Sequence, residues 1–93
     1  HVLAHGWQHA GEYRLIVNNF SDRWVQVVID LNGWEAIAGA NWRLFDALHD
    51  SYSYQSGDDM VMDGLYLELE ANSAHIFHFH RLAKSTDSQK TTD

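Results

Sequence analysis

Apolar residues in this 93-residue chain recur at every second position, in short runs separated by turn-forming residues. The clearest run covers residues 23–31, where Val25, Val27, Ile29 and Leu31 share one parity. Side chains alternate between the two faces of a β-strand, so this spacing places the four together on one face. A helix would need apolar residues three and four positions apart, and no long run of that kind occurs. The pattern predicts an all-β fold.

Two hairpins are predicted at the ends of the chain. Residues 2–8 and 12–20 read as strands joined by a turn at Ala10-Gly11. Residues 64–70 and 74–81 read as a closing hairpin, with Leu65, Leu67, Leu69, Phe77 and Phe79 directed inward beside the apolar face of residues 23–31.

The middle of the chain has a less regular pattern. Residues 34–40 are compatible with one helical turn, residues 51–54 with an edge strand, and residues 56–59 with a turn. About six to eight short strands without long helices predict an antiparallel β-sandwich or barrel. We expect one domain over residues 1–81 and a disordered polar tail over residues 82–93.

Charge and composition limit the classes of binding partner and the cellular location that the chain is compatible with. Thirteen carboxylates against six Lys and Arg residues give a net charge of −7, which argues against nucleic acid or anionic membrane as a partner. The first residues lack the layout of a signal peptide, and no cysteine is present, so cytoplasmic and disulfide-free secreted locations both stay open, with the cytoplasm slightly favoured. The chain starts at His1 rather than Met, which leads us to expect a piece of a longer protein.

Three of the seven histidines lie close together in the last predicted strand. His78 and His80 point to one face and His75 to the other, so only one pair could share a metal ion. Two imidazoles without a placed third ligand fall short of a site. We therefore assign no metal and no cofactor, and keep a metal-binding β-sandwich as the weaker alternative to half-buried histidines at a domain interface.

Aromatic residues in loop-like segments suggest a second alternative. Trp34, Tyr52 and Tyr54 could stack against the apolar face of a sugar, which would make the chain a starch-binding or α-glucan-binding module. Packing in the core explains the same residues equally well, with the hydroxyl or indole tip reaching water.

The alternation also predicts which residues face away from the core. If every second side chain of residues 23–31 and 74–81 points into the core, the side chains between them point outward. Five residues are expected there as a domain interface, and they would form one apolar patch ringed by histidines if their strands share a sheet: Trp24, Val28, Ile76, His78 and His80.

Four segments, in order, resemble the C-terminal domain of the α-amylase family of glycoside hydrolases and transglycosylases. Residues 15–22 (LIVNNFSD) resemble its opening strand with the Asn-Phe-Ser turn, and residues 42–48 (WRLFDAL) a later Trp-to-Asp segment. Residues 64–69 and 73–79 resemble the last two strands. Many relatives have a proline between those strands, where this chain has Ala71-Asn72-Ser73.

The resemblance implies a Greek-key β-sandwich that packs beside a catalytic (β/α)₈ barrel in the same polypeptide. Such a domain contributes no catalytic residue, and the chain by itself is expected not to be an enzyme. A barrel of about 250 residues and its carboxylate pair cannot fit in this length. The parent protein is then expected to act on α-glucosidic bonds.

Overall fold

The computed structural model describes residues 1–82, which form seven β-strands, one 3-10 turn and one short helix. The strands are β1 (Val2–His9), β2 (Glu12–Asn19), β3 (Val25–Ile29), β4 (Asn41–Asp46), β5 (Ser51–Ser56), β6 (Leu65–Leu69) and β7 (Ser73–Arg81). The 3-10 turn covers Glu35–Ile37, where one helical turn was predicted, and helix α1 covers Gly57–Asp63.

The strands form two antiparallel sheets, which confirms the all-β prediction. The larger sheet has five strands in the order β1-β2-β7-β4-β5, and the smaller sheet pairs β3 with β6. The first hairpin also forms as predicted, with Val2 opposite Asn19 and His9 opposite Glu12. Its turn residues Ala10 and Gly11 both have positive φ, at 52° and 83°. Two left-handed residues are what a two-residue hairpin turn requires.

The predicted closing hairpin is wrong. Strand β6 pairs with β3 in the small sheet, whereas β7 lies between β2 and β4 in the large sheet. The turn after β6 therefore carries the chain from one sheet to the other, with Asn72 at φ 51°. Alternation indicates which face of a strand is buried but not which strand it pairs with, so the sequence pattern was compatible with both connections.

The inner faces of the two sheets enclose the core. Leu31, Leu65, Leu69, Phe77 and Phe79 are buried there as predicted. Val25, Val27, Ile29 and Leu67 point the same way but are only partly buried, because each strand of the small sheet has a neighbouring strand on one side only. The remaining buried apolar residues come from the large sheet, the loops and the helix: Tyr13, Leu15, Val17, Trp34, Ile37, Trp42, Leu44 and Met60.

The predicted turn at residues 56–59 begins helix α1 instead. The Ser56 hydroxyl accepts a hydrogen bond from the Asp59 N–H at 3.4 Å, in the manner of an N-cap. Gly57 is buried against the 3-10 turn, and its N–H donates to the Ala40 carbonyl at 2.8 Å. A Cβ on Gly57 would lie 1.9 Å from the Ile37 carbonyl oxygen, so only glycine fits there. The helix places Met60 in the core.

Asn19 ties the end of β2 to two other segments. Its amide nitrogen donates to the Arg23 carbonyl at 3.0 Å and to the Glu70 carbonyl at 2.9 Å. Its amide oxygen accepts from the N–H and hydroxyl of Ser21, at 3.0 and 2.7 Å. This buried side chain therefore has partners for both its oxygen and its nitrogen, and it holds together two of the four crossings between the sheets, from β2 to β3 and from β6 to β7.

Within residues 1–82, no helix is long and apolar enough to cross a membrane. The polar tail expected over residues 82–93 falls, except for Leu82, outside the described residues.

Candidate functional site

The surface of interest is the side of the five-stranded sheet that faces away from the core, here called the outer face. The strand registers place the same parity of each strand on it, opposite to the buried residues Leu15, Leu44 and Phe77. Seven of its side chains are aromatic or aliphatic, spread over all five strands: Leu3, Trp7, Ile16, Phe45, Tyr52, Tyr54 and Ile76.

One row of side chains crosses the whole sheet. In register order it is Trp7, Arg14, His78, Phe45 and Tyr52, one residue from each strand. The Arg14 guanidinium lies 5.1 Å from the Trp7 ring centroid. The Phe45 ring lies 6.3 Å from His78, edge to face, and 4.9 Å from Tyr52. These distances are those of cation–π and aromatic pairs, so the row contains two packed groups, Trp7 with Arg14 and His78 with Phe45 and Tyr52.

The next row adds hydrogen-bonding groups. Glu12, His80, Arg43 and Tyr54 follow one another across four strands. The Arg43 guanidinium lies 4.8 Å from the Tyr52 ring centroid, and its Nε is buried without a hydrogen-bond partner among residues 1–82. The Arg43 side chain therefore packs against an aromatic ring and places a positive charge on the outer face.

His78 is the titratable group at the centre of the outer face. Burial lowers its pKa below the ordinary histidine value, and the charges of Arg14 and His80 lower it further, while Glu12 acts in the opposite direction. The neutral ring is therefore favoured, so His78 adds no charge to the outer face at neutral pH.

The three predicted sugar-stacking residues do not lie together. Tyr52 and Tyr54 are exposed on the same face of the edge strand β5, 55% and 67% accessible. Trp34 is only 6% exposed, which makes its predicted exposure wrong. Its ring packs edge-on against Tyr13 at 5.0 Å and Phe79 at 5.4 Å. Trp34 is buried although it lies in a loop, because the loop after β3 packs against the inner face of the large sheet.

The predicted interface residues are divided between two surfaces. Trp24 and Val28 face outward as predicted, at 52% and 59% exposure, but on the side of the small sheet. Ile76, His78 and His80 also turn away from the core, on the outer face of the large sheet. Because the two sheets face each other through the core, these groups lie on opposite sides of the sandwich. The five residues do not form one patch, because their strands do not share the sheet that such a patch requires.

Several outer-face residues were missed from the sequence. Leu3 and Trp7 in β1, Ile16 in β2 and Phe45 in β4 belong to the parity opposite the core. Their signal in the sequence was weak, because Ile16 is the one apolar residue among the outward positions of β2 and is flanked there by Arg14 and Asn18. Strand order was needed to see that these residues adjoin His78.

Comparison with known proteins leaves the family open. No family model matches the chain, and no curated protein matches it.

Proposed function

We propose that this chain is a non-catalytic accessory domain that docks through its outer face onto the catalytic (β/α)₈ barrel of an α-amylase-family enzyme. The observation that carries the proposal is the set of seven aromatic and aliphatic side chains on the outer face, which are spread over all five strands of the large sheet. The resemblance of four segments to the C-terminal domain of that family supplies the identity of the partner. In this role the chain covers and stabilises the barrel and contributes no acid, base or nucleophile.

The chemistry of the surface supports docking over simple exposure to water. A solvent-facing antiparallel sheet normally carries polar side chains on its outer side. Here Leu3, Trp7, Ile16 and Tyr54 are all exposed on one face. A contiguous apolar surface of this kind on a water-soluble protein marks a site of interaction.

The size of the surface also fits a contact between domains. Strands about 4.8 Å apart and a rise of about 3.3 Å per residue make a five-stranded face roughly 20 Å wide and at least as long. Interfaces between domains of one chain bury about 600–1,500 Å² in total. One face of this sheet can supply half of such an area.

Calorimetric titration of the chain with the catalytic barrel tests the proposal. The barrel is sought in the coding sequence next to His1 and expressed separately. We expect binding that is weakened at least about tenfold by Trp7→Ser and by Ile16→Ser, since each removes more than 1.4 kcal/mol of apolar contact. The matched control is Val28→Ser on the small sheet, which should bind as the original chain does. Equal binding by all variants, or no barrel beside the chain, would refute docking by this face.

A second candidate function rests on Tyr52 and Tyr54. Two exposed tyrosines on one face of an edge strand, separated by two residues or about 7 Å, form a platform on which consecutive sugar rings can stack. Affinity electrophoresis in soluble starch distinguishes the two functions. A glucan-binding module is retarded and loses the retardation in Tyr52→Ala/Tyr54→Ala but not in Tyr66→Ala, whose tyrosine lies on the small sheet. A docking domain migrates alike with and without starch.

A further inference from the structure

A second group of polar residues lies at one end of the sandwich, away from the outer face. Asp46 is the last residue of β4, His49 lies in the following turn, and His75 lies on the neighbouring strand β7. The side chains of Asp46 and His75 are 6% and 14% exposed, and that of His49 is 45% exposed. The group is therefore half enclosed by protein and open to solvent on the His49 side.

Both imidazoles are directed at one carboxylate oxygen. Nδ1 of His75 lies 2.5 Å from Oδ2 of Asp46, and Nδ1 of His49 lies 3.0 Å from the same oxygen. The two rings stack with their centroids 4.3 Å apart. The other carboxylate oxygen, Oδ1, accepts from the backbone N–H groups of Leu48 and Ile76. Backbone contacts thus orient the carboxylate, and the ligand atoms of all three residues lie within 4.8 Å of one another.

The surroundings contain an unused group. Nε2 of His75 is buried and has no hydrogen-bond partner among residues 1–82. Nε2 lies across the ring from Nδ1, so it is not a ligand of an ion held at Nδ1. The ring atom Nδ1 meets only the Asp46 carboxylate, so a cation that replaces this hydrogen bond would find Nδ1 of His75, Nδ1 of His49 and Oδ2 of Asp46 as ligand atoms.

We propose that Asp46, His49 and His75 form a site for a divalent transition-metal ion of the zinc type. Two imidazole nitrogens and one carboxylate oxygen are a ligand set that zinc accepts at about 2.0–2.2 Å, with water in the fourth position. Calcium and magnesium prefer oxygen ligands throughout and are disfavoured here. Such an ion joins β4, the β4–β5 turn and β7.

The site differs from the histidine pair considered from the sequence. His78 and His80 lie on the outer face without a carboxylate ligand between them, and His75 was set aside because it points the other way. The orientation of His75 brings its ring against Asp46, which lies beside it in the fold but 29 residues earlier in the chain.

Isothermal titration of the full chain with zinc chloride tests the proposal. We expect one equivalent of zinc to bind and the melting temperature to rise with zinc concentration, since binding to the folded state alone stabilises it. His49→Gln should weaken zinc at least by the roughly 10–100-fold that loss of an outer-shell partner costs, because it removes a direct ligand. His49 is partly exposed, so this variant is expected to fold.

The matched control is His78→Gln/His80→Gln, which removes the other candidate pair and should leave zinc binding unchanged. Cobalt(II) bound in place of zinc should give visible absorption that His75→Gln abolishes. The proposal is overturned if zinc produces no heat at millimolar concentration. It is equally overturned if binding survives His49→Gln and is lost either in the control or when His1 is replaced by alanine.

Discussion

At the scale of single residues, Asn19 explains why the Asn-Phe-Ser segment lies where it does. Its amide makes four hydrogen bonds, to Arg23, Glu70 and Ser21, from a fully buried position at the end of β2. These bonds close the turn after β2 and hold the turn after β6 against it. Asn19 thus fastens two of the four crossings between the sheets, from β2 to β3 and from β6 to β7.

Asn19→Ala is expected to lower the free energy of unfolding by about 2–3 kcal/mol, because it removes four hydrogen bonds made from a buried position. The two carbonyls that lose the Asn19 amide each keep a serine hydroxyl as a donor, from Ser21 and Ser73, which limits the loss. Urea denaturation measures the change. Asn18→Ala is the matched control, since its neighbouring side chain lies on the outer face, and it should cost under about 0.5 kcal/mol. Similar losses in both variants would show that the Asn19 network does not hold the fold.

His78 makes stability depend on pH in a defined direction. Its pKa is lowered in the folded state by burial and by Arg14 and His80, so the unfolded chain takes up a proton more readily. The free energy of unfolding therefore falls as the pH drops below the ordinary histidine pKa of about 6.5, and this residue has little effect above it. His78→Gln should reduce the fall in the free energy of unfolding between pH 7 and pH 5. Thermal unfolding at a series of pH values measures this change. An unchanged pH profile would mean that His78 is not disfavoured as a cation.

At the scale of elements, the turns show where sequence and backbone geometry disagree. Ala10 and Asn72 both occupy the left-handed region, with φ of 52° and 51°. Asparagine tolerates that region, whereas alanine is strained in it by about 1–2 kcal/mol.

We therefore expect Ala10→Asn to raise the free energy of unfolding by about 0.5–1 kcal/mol and Asn72→Ala to lower it by a similar amount. Urea unfolding of the two variants beside the original chain gives both values. The opposite signs form an internal control, and two changes of the same sign would rule out turn strain as their cause.

The elements also show how far the sequence could lead. Alternation located β1, β2, β3, β6 and β7 within a residue or two, because a half-buried strand leaves a period of two. It missed helix α1, whose seven residues are too few to establish a helical period and begin with the Gly-Asp-Asp typical of a turn. It also paired β6 with β7, because neighbours in sequence usually pair and nothing local records a crossing between sheets.

For the candidate site, too, the sequence predicted the direction of side chains but not which strands are neighbours. The outward direction of Ile76, His78 and Trp24 came from parity alone, which the pleat dictates. Their division between two surfaces depended on strand order. The approach of Asp46 to His75 depended on β4 lying beside β7, a long-range pairing that spacing cannot show.

At the scale of the whole molecule, the two outer surfaces of the sandwich differ in kind. The small sheet is narrow and presents Val28 and Tyr66 beside Gln26 and Glu68, with the Tyr66 hydroxyl bonded to Glu68 at 2.9 Å. The large sheet presents an aromatic row across five strands. The proposed docking role depends on this asymmetry, so substitutions on the two sides must have different effects in an intact enzyme.

The most direct test compares melting temperatures in two contexts, the isolated chain and the polypeptide that also contains the catalytic barrel. Trp7→Ser and Ile16→Ser remove exposed side chains, so in the isolated chain each should cost little, under about 1 kcal/mol. In the intact enzyme the same changes should lower the melting temperature of the barrel by several degrees, while Val28→Ser leaves it unchanged. A large loss in the isolated chain, or equal effects of all three substitutions in the intact enzyme, would contradict docking through the outer face.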